Sequence, residues 1–153
     1  MTTDSFSAQT LSRELARHVP DGRVHIDELT LAVYSRCADF YEFRPLAVVK
    51  ARTEEEVVGV LRVANAQRLP VTFRAAGTSL SGQVLGTGII CDISTGFQKI
   101  EPRDQGNLVC FQPGPVLETV DRVLAPLGRR IGPDPRPARR RGWAASSPTT
   151  PPG

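Results

Sequence analysis

Residues 70–83 read PVTFRAAGTSLSGQ, and the reading of the whole chain turns on them. Val71-Thr72-Phe73-Arg74 is a short β-rich run that leads without interruption into Ala75-Ala76-Gly77-Thr78-Ser79-Leu80-Ser81-Gly82. A strand that ends in small residues and glycines makes a turn whose backbone N–H groups can converge on a ligand. Thr78, Ser79 and Ser81 add hydroxyl donors. Several convergent donors without a dominant cation suit a diphosphate. Arg74 either adds charge to that site or pairs with an acid inside the domain.

Two other phosphate motifs are disfavoured. Gly77 and Gly82 have the spacing of a GxxxxGK[ST] loop, but Gln83 stands where the lysine belongs. Gly86-Thr87-Gly88 begins a GxGxxG pattern, but Cys91 replaces its last glycine. A P-loop nucleotidase and a nicotinamide-binding Rossmann unit are therefore set aside.

Toward the N-terminus, Pro45 opens an extended segment and Ala47-Val48-Val49 reads as a strand. Thr53-Glu54-Glu55-Glu56 is a capping box: Thr53 accepts from the Glu56 amide, and the Glu56 carboxylate reaches back. Three acids at the positive end of the helix dipole support the same start. Val57, Val58, Leu61 and Ala64 are expected to form the buried stripe, and the helix should stop near Arg68, ahead of Pro70. Before residue 44, Leu11 and Leu15 suggest a short amphipathic helix ending at Pro20-Asp21-Gly22, and a second runs from about Glu28 to Cys37. His18 and His25 read as solvated or packing histidines.

Toward the C-terminus, residues 88–93 (GIICDI) read as a buried strand. Phe97 to Glu101 and Leu108 to Gln112 pair as a hairpin around residues 104–107, and Pro113-Gly114 breaks it. Pro115 suits the first turn of a helix with Val116, Val120, Val123 and Leu127 on its apolar face and Gly128 as its cap. Strand and helix alternate over residues 44–128 and end in a hairpin, an α+β pattern.

Composition narrows the function classes. The 153 residues are 40% hydrophobic and 23% charged, the profile of a globular protein, and contain no apolar run of about 18 residues. The N-terminus lacks the basic-then-apolar pattern of a signal peptide. Cys37, Cys91 and Cys110 are widely spaced and make no CxxC pair, which points to a reducing, cytoplasmic setting. Cys91 and Cys110, each inside an apolar run, read as buried thiols. The net charge of +3 resides in the tail: residues 136–153 hold Arg136, Arg139, Arg140 and Arg141 and no acid, and removing those four takes the balance to −1. The body therefore offers no electrostatic footprint for nucleic acid.

The motifs quoted above, together with Arg44-Pro45, Gln112-Pro113-Gly114 and Ile131-Gly132-Pro133-Asp134-Pro135, resemble the FAD-linked oxidases of the vanillyl-alcohol-oxidase or PCMH type. The similarity runs from about Leu29 to Pro135 and is nearest to the large D-2-hydroxy acid dehydrogenases, which act on D-lactate, glycolate or D-2-hydroxyglutarate. It implies the N-terminal part of a PCMH-type FAD-binding domain, truncated, built of short strands with packed helices plus a hairpin. Residues 1–43 would be a helical lead, 44–135 an incomplete flavin domain and 136–153 a disordered Arg/Pro-rich tail.

By the same resemblance, Arg74, Ala75, Ala76, Gly77, Thr78, Ser79, Leu80, Ser81 and Gly82 would hold the FAD pyrophosphate. Gly114 would shape a turn beside the cofactor, and Pro133 and Asp134 would approach the flavin. No histidine follows His25, so FAD would be held without a histidyl bond. An iron–sulfur cluster would belong to a downstream region only. The implied reaction removes the hydroxyl proton of a 2-hydroxy acid while hydride passes from its α-carbon to the flavin. The base and the cations for the substrate carboxylate would also lie downstream, so no catalytic residue is assigned and no metal is expected. Peripheral membrane docking fits such enzymes. The alternative is a stand-alone α/β module that binds a phosphorylated ligand or a protein partner without redox chemistry.

The tail RPARRRGWAASSPTTPPG departs from the family after Pro135. Read with the third base of each codon joined to the first two of the next, and with GC-rich codons, it can supply the glycine- and alanine-rich segment that the family carries there, and Trp143 into Ala144 must then give glycine. Residues 136–153 are thus expected to be an out-of-frame reading of the next flavin-domain segment. Such a polypeptide is expected to bind FAD weakly or not at all by itself and to aggregate through its uncovered sheet edge.

Overall fold

In the computed structural model, which describes residues 8–20, 22–38 and 40–132, the 70–83 stretch sits at the edge of a four-stranded sheet. The elements are α1 (Ala8–Ala16), β1 (Val24–His25), α2 (Glu28–Tyr34), β2 (Ala47–Lys50), α3 (Glu54–Gln67), β3 (Val71–Arg74) and β4 (Ile89–Asp92). A hairpin, β5 (Ile100–Arg103) and β6 (Leu108–Phe111), precedes α4 (Leu117–Leu124). The sheet runs β1-β2-β4-β3. β2, β4 and β3 are parallel, with Ala47 and Val71 both paired to Ile89, and β1 is antiparallel to β2. Parallel neighbours need a crossover, usually a helix. Between β2 and β3 that crossover is α3. Between β3 and β4 it is the irregular stretch 75–88, which holds the glycine- and serine-rich turn.

One face of the sheet, made of Ala47, Val49 and Ile89, buries against Leu11, Leu15 and Val19 of the α1 region and Val60, Val63 and Ala64 of α3. Ala51, Cys91, Ile93 and Phe97 continue that layer. Each fully buried leucine or valine there contributes about 1.5–3 kcal/mol. The other face, Val48 and Ile90, packs on Leu31 and Tyr34 of α2. α1 and β1, which precede residue 44, therefore share the core of the strands that follow it.

α3 starts at the expected cap, with Thr53 Oγ1 accepting from the Glu56 amide at 3.3 Å. The Glu56 carboxylate reaches back to the Thr53 backbone, as the box requires, and has further partners. It accepts from the Arg52 amide at 2.7 Å and takes a bidentate pair with Arg23 at 2.8 and 2.5 Å. The helix ends at Gln67, with Arg68 left-handed at φ 53°. Its buried stripe is Glu56, Gly59, Val60, Val63 and Ala64, whereas Val58 and Leu61 are exposed. The reason is a close approach: an added Cβ on Gly59 would lie 2.4 Å from the His18 Cβ, so the glycine face of α3 turns inward. His18 is thereby a packing residue.

α2 stops at Tyr34, short of Cys37. α4 begins after Pro115, with Val116 at its N-cap, and buries Leu117, Val120 and Leu124, while Val123 and Leu127 are exposed. The left-handed Gly128 follows one more 3-10 turn. The hairpin has the expected pairing, Ile100 with Phe111. Cys91 is buried, and burial pushes its thiol up to about 12. Cys110 is exposed, because alternate residues of β6 face outward from a two-stranded ribbon. The expectations for residues 136–153 lie outside the described residues. Among the described residues no helix is long and apolar enough to cross a membrane.

Candidate functional site

The turn that follows β3 lies beyond the carboxyl ends of three parallel strands, where open α/β sheets receive their ligands. Gly77 and Gly82 both adopt positive φ, 68° and 73°, which side-chain-bearing residues rarely do. Ala75, Gly77 and Ser79 are buried, while Ala76, Leu80 and Ser81 are exposed.

The three hydroxyls have different surroundings. Ser79 Oγ accepts from the amides of Ser81 and Gln83, each at 3.3 Å, and donates to the Gln83 side-chain oxygen. It staples the turn from within. Ser81 is exposed. Thr78 Oγ1 is buried without a hydrogen-bond partner among the described residues. Leaving a buried hydroxyl unpaired costs about 1–3 kcal/mol. A bound oxyanion would supply the missing acceptor. The residues present thus fit a group rich in phosphate oxygens: two glycines at positive φ, exposed small residues and one orphan hydroxyl.

Arg74 points its terminal nitrogens away from the exposed side of the turn. Nη1 donates to the Tyr34 carbonyl at 3.1 Å and Nη2 to the Arg36 carbonyl at 2.9 Å. The guanidinium carbon lies 4.9 Å from the centre of the Tyr34 ring. Asp92, paired with Arg74 in the β3–β4 register, is buried and accepts from the Tyr34 hydroxyl and from the Ser94 amide at 2.8 Å. Burial, and then the Asp92 carboxylate, hold the Tyr34 phenol well above its usual range.

Neither Tyr34 nor Asp92 figured among the candidate residues. Asp92 did carry a signal, as an acid closing an otherwise apolar strand. Tyr34 carried none, since it sits 58 residues from its partner.

Gly114 is buried where the hairpin rejoins the sheet, and its amide donates to the Phe97 carbonyl at 2.8 Å. A Cβ there would meet that oxygen at 2.4 Å and the Ile93 oxygen at 3.1 Å. The position therefore locks the segment after β4 beside the same end of the sheet. Pro133 and Asp134 lie outside the described residues. A depression of about 390 Å³ lined by Arg36, Cys37, Phe40, Tyr41 and Glu42 opens just past α2, and one of about 210 Å³ lies on the hairpin. Neither is lined by the 75–82 turn, which is an open cradle and not a cavity. No group of three or more metal-ligating side chains occurs among the described residues.

Comparison with known proteins agrees with this geometry. Residues 45–140 match the family described as FAD binding domain. The glycolate oxidase subunit GlcD of Escherichia coli strain K12 is 31% identical over 124 residues, covering 79% of this chain and 25% of that protein. The D-2-hydroxyglutarate dehydrogenase of the same strain is 30% identical over 114 residues, covering 72% of this chain and 11% of its own length. The chain thus spans a quarter or less of these relatives. Among solved structures, p-cresol methylhydroxylase with bound substrate superposes with a TM-score of 0.64 at 19% identity, over 84% of this chain and 26% of that one. That likeness establishes the fold, part of a PCMH-type domain.

Proposed function

The chain belongs to the FAD-binding domain family, and on that premise we propose that its 75–82 turn holds the diphosphate of FAD. The observation that carries this reading is the orphan hydroxyl of Thr78 inside a turn bent by Gly77 and Gly82 at the carboxyl ends of the sheet. The amides of Ala75 to Gly82 other than that of Ser81, which serves Ser79, and the Thr78 hydroxyl bind the phosphate oxygens. Ser79 keeps the turn in shape, and Gly114 fixes the neighbouring segment. No histidine follows His25 in this sequence, so this stretch offers none for a histidyl bond and holds FAD non-covalently.

Bound FAD supplies a two-electron acceptor. Two relatives are named for oxidising 2-hydroxy acids, glycolate and D-2-hydroxyglutarate, and the whole protein is proposed to oxidise an acid of that class. The chain by itself holds the cofactor weakly and does not complete the reaction, because it spans a quarter or less of those relatives. A base and a carboxylate-binding cation are assigned to none of its described residues.

Thermal unfolding of the purified chain with FAD, AMP or inorganic phosphate tests the proposal. FAD at about ten times its Kd adds about 1.4 kcal/mol of stability, a rise of about 3–6 °C in Tm for a domain of this size. Equal shifts with AMP or phosphate would assign the turn to a general phosphate module instead. No shift with any of the three would reject the cradle.

A further inference from the structure

We propose that Arg74 is a positioning residue, whose guanidinium sets the shape of the 75–82 turn from beneath and does not itself touch the diphosphate. The inference rests on the reading of that turn as the FAD cradle. A Cβ built on Gly77 would lie 2.6 Å from Arg74 Nη2, 2.7 Å from Nε and 2.9 Å from Cζ. Both nitrogens lie nearer than the carbon that joins them, so the guanidinium presents its Nε–Nη2 edge to the space that a side chain at position 77 would fill. Gly77 is therefore required twice, for its φ of 68° and for this contact.

The other contacts of Arg74 run to the last residue of α2 and to the segment just past it. Its two terminal nitrogens serve the carbonyls of Tyr34 and Arg36, which lie 40 and 38 residues earlier in the chain. Carbonyls at the end of a helix lack intrahelical partners, and an arginine satisfies them well. Tyr34, stacked with the guanidinium, is itself bound to Asp92 on the neighbouring strand. The turn thus rests on a group fixed to a helix end on one side and to β4 on the other. Lysine, a point charge on a flexible stem, can neither reach two carbonyls in this geometry nor present such an edge.

Amide hydrogen exchange on the full 153-residue chain, without ligand, tests the role directly. Arg74→Lys and Arg74→Gln are both expected to speed exchange of the Ser81 and Gln83 amides by about tenfold. The Val48 and Ile90 amides in the sheet are expected to keep their wild-type rates. Both variants are also expected to raise the Kd for FAD alike. Acceleration confined to the turn in both variants upholds the proposal. Unchanged exchange in the turn, or equal acceleration in the sheet, overturns it. So does a lysine variant that keeps wild-type FAD affinity while the glutamine variant loses it, since charge alone would then be acting. A wild-type chain that takes up no FAD would refute the cradle, and the exchange rates would still decide whether Arg74 shapes the turn.

Discussion

On the α1 and α3 side of the sheet, Ala47, Val49 and Ile89 pack in a cluster with Leu11, Leu15, Val19, Val60, Val63 and Ala64. On the α2 side, Val48 and Ile90 meet Leu31, and one step further along the strands come Asp92 and Arg74, tied together through Tyr34. Leu29, Val33 and Phe40 on that side are exposed, at 76%, 60% and 88%. The contrast shows how work is divided in a short sheet. The dry face holds the strands in register. The second face carries few aliphatic contacts and a hydrogen-bonded polar group beside the 75–82 turn, the proposed ligand site.

The sharpest break in this comparison is Leu15→Ala. Leu15 is fully buried on the dry face, and its truncation should cost about 2–5 kcal/mol, read as a fall in the urea midpoint. A loss below about 1 kcal/mol would mean that the dry face does not carry the fold.

The dry side has one polar exception, the pair of Arg23 and Glu56, whose side chains are 14% and 10% exposed. Glu56→Gln should cost about 3 kcal/mol by leaving the half-buried Arg23 charge without an opposing carboxylate. The Arg23 bond holds the Glu56 carboxyl below its ordinary 4.5. Its stabilisation is therefore complete above about that pH and fades as the pH falls through the lower folded value. The gap between wild type and Glu56→Gln should narrow over the same acid range. A gap independent of pH would refute the ion pair.

On the site side the expected effect is smaller and of opposite sign. Thr78→Val replaces the orphan hydroxyl with a methyl group and should stabilise the ligand-free chain by about 1 kcal/mol while weakening FAD binding. A destabilised variant would show that the hydroxyl already has a partner. The smallest effect belongs to the outer flank of α3. Val58→Ala and Leu61→Ala should each stay within about 0.5 kcal/mol, since both residues are more than two-fifths exposed.

That last pair marks what the sequence could and could not reveal. α3 carries apolar residues on two flanks, so periodicity alone allowed either to be the core. The choice was made by Gly59 meeting His18, a contact between segments 41 positions apart. α4 shifted for a similar reason: Pro115 precedes the cap, and the buried set became Leu117, Val120 and Leu124. β2, β3, β4, the hairpin and the glycine turn were legible because each depends on neighbours in the chain, whereas β1, a two-residue strand defined by its pairing with β2, was not. Thr53 was legible as a cap, but the pairing of the Glu56 carboxylate with Arg23 was not, because Arg23 lies 33 residues away. Ser79 and Thr78 looked equivalent on paper. Only the folded turn separates the hydroxyl that fastens it from the hydroxyl left without a partner.

The connection from Arg74 to Ile89 has a last consequence. β3 and β4 point the same way, so the chain must travel back along a strand's length before it can start again. Elsewhere in the sheet a helix makes that return journey; here the residues of the ligand turn make it. A deletion that trims the turn also shortens the only road home. Topology thus shields the cradle from erosion, because a chain that loses it cannot lay β4 in place.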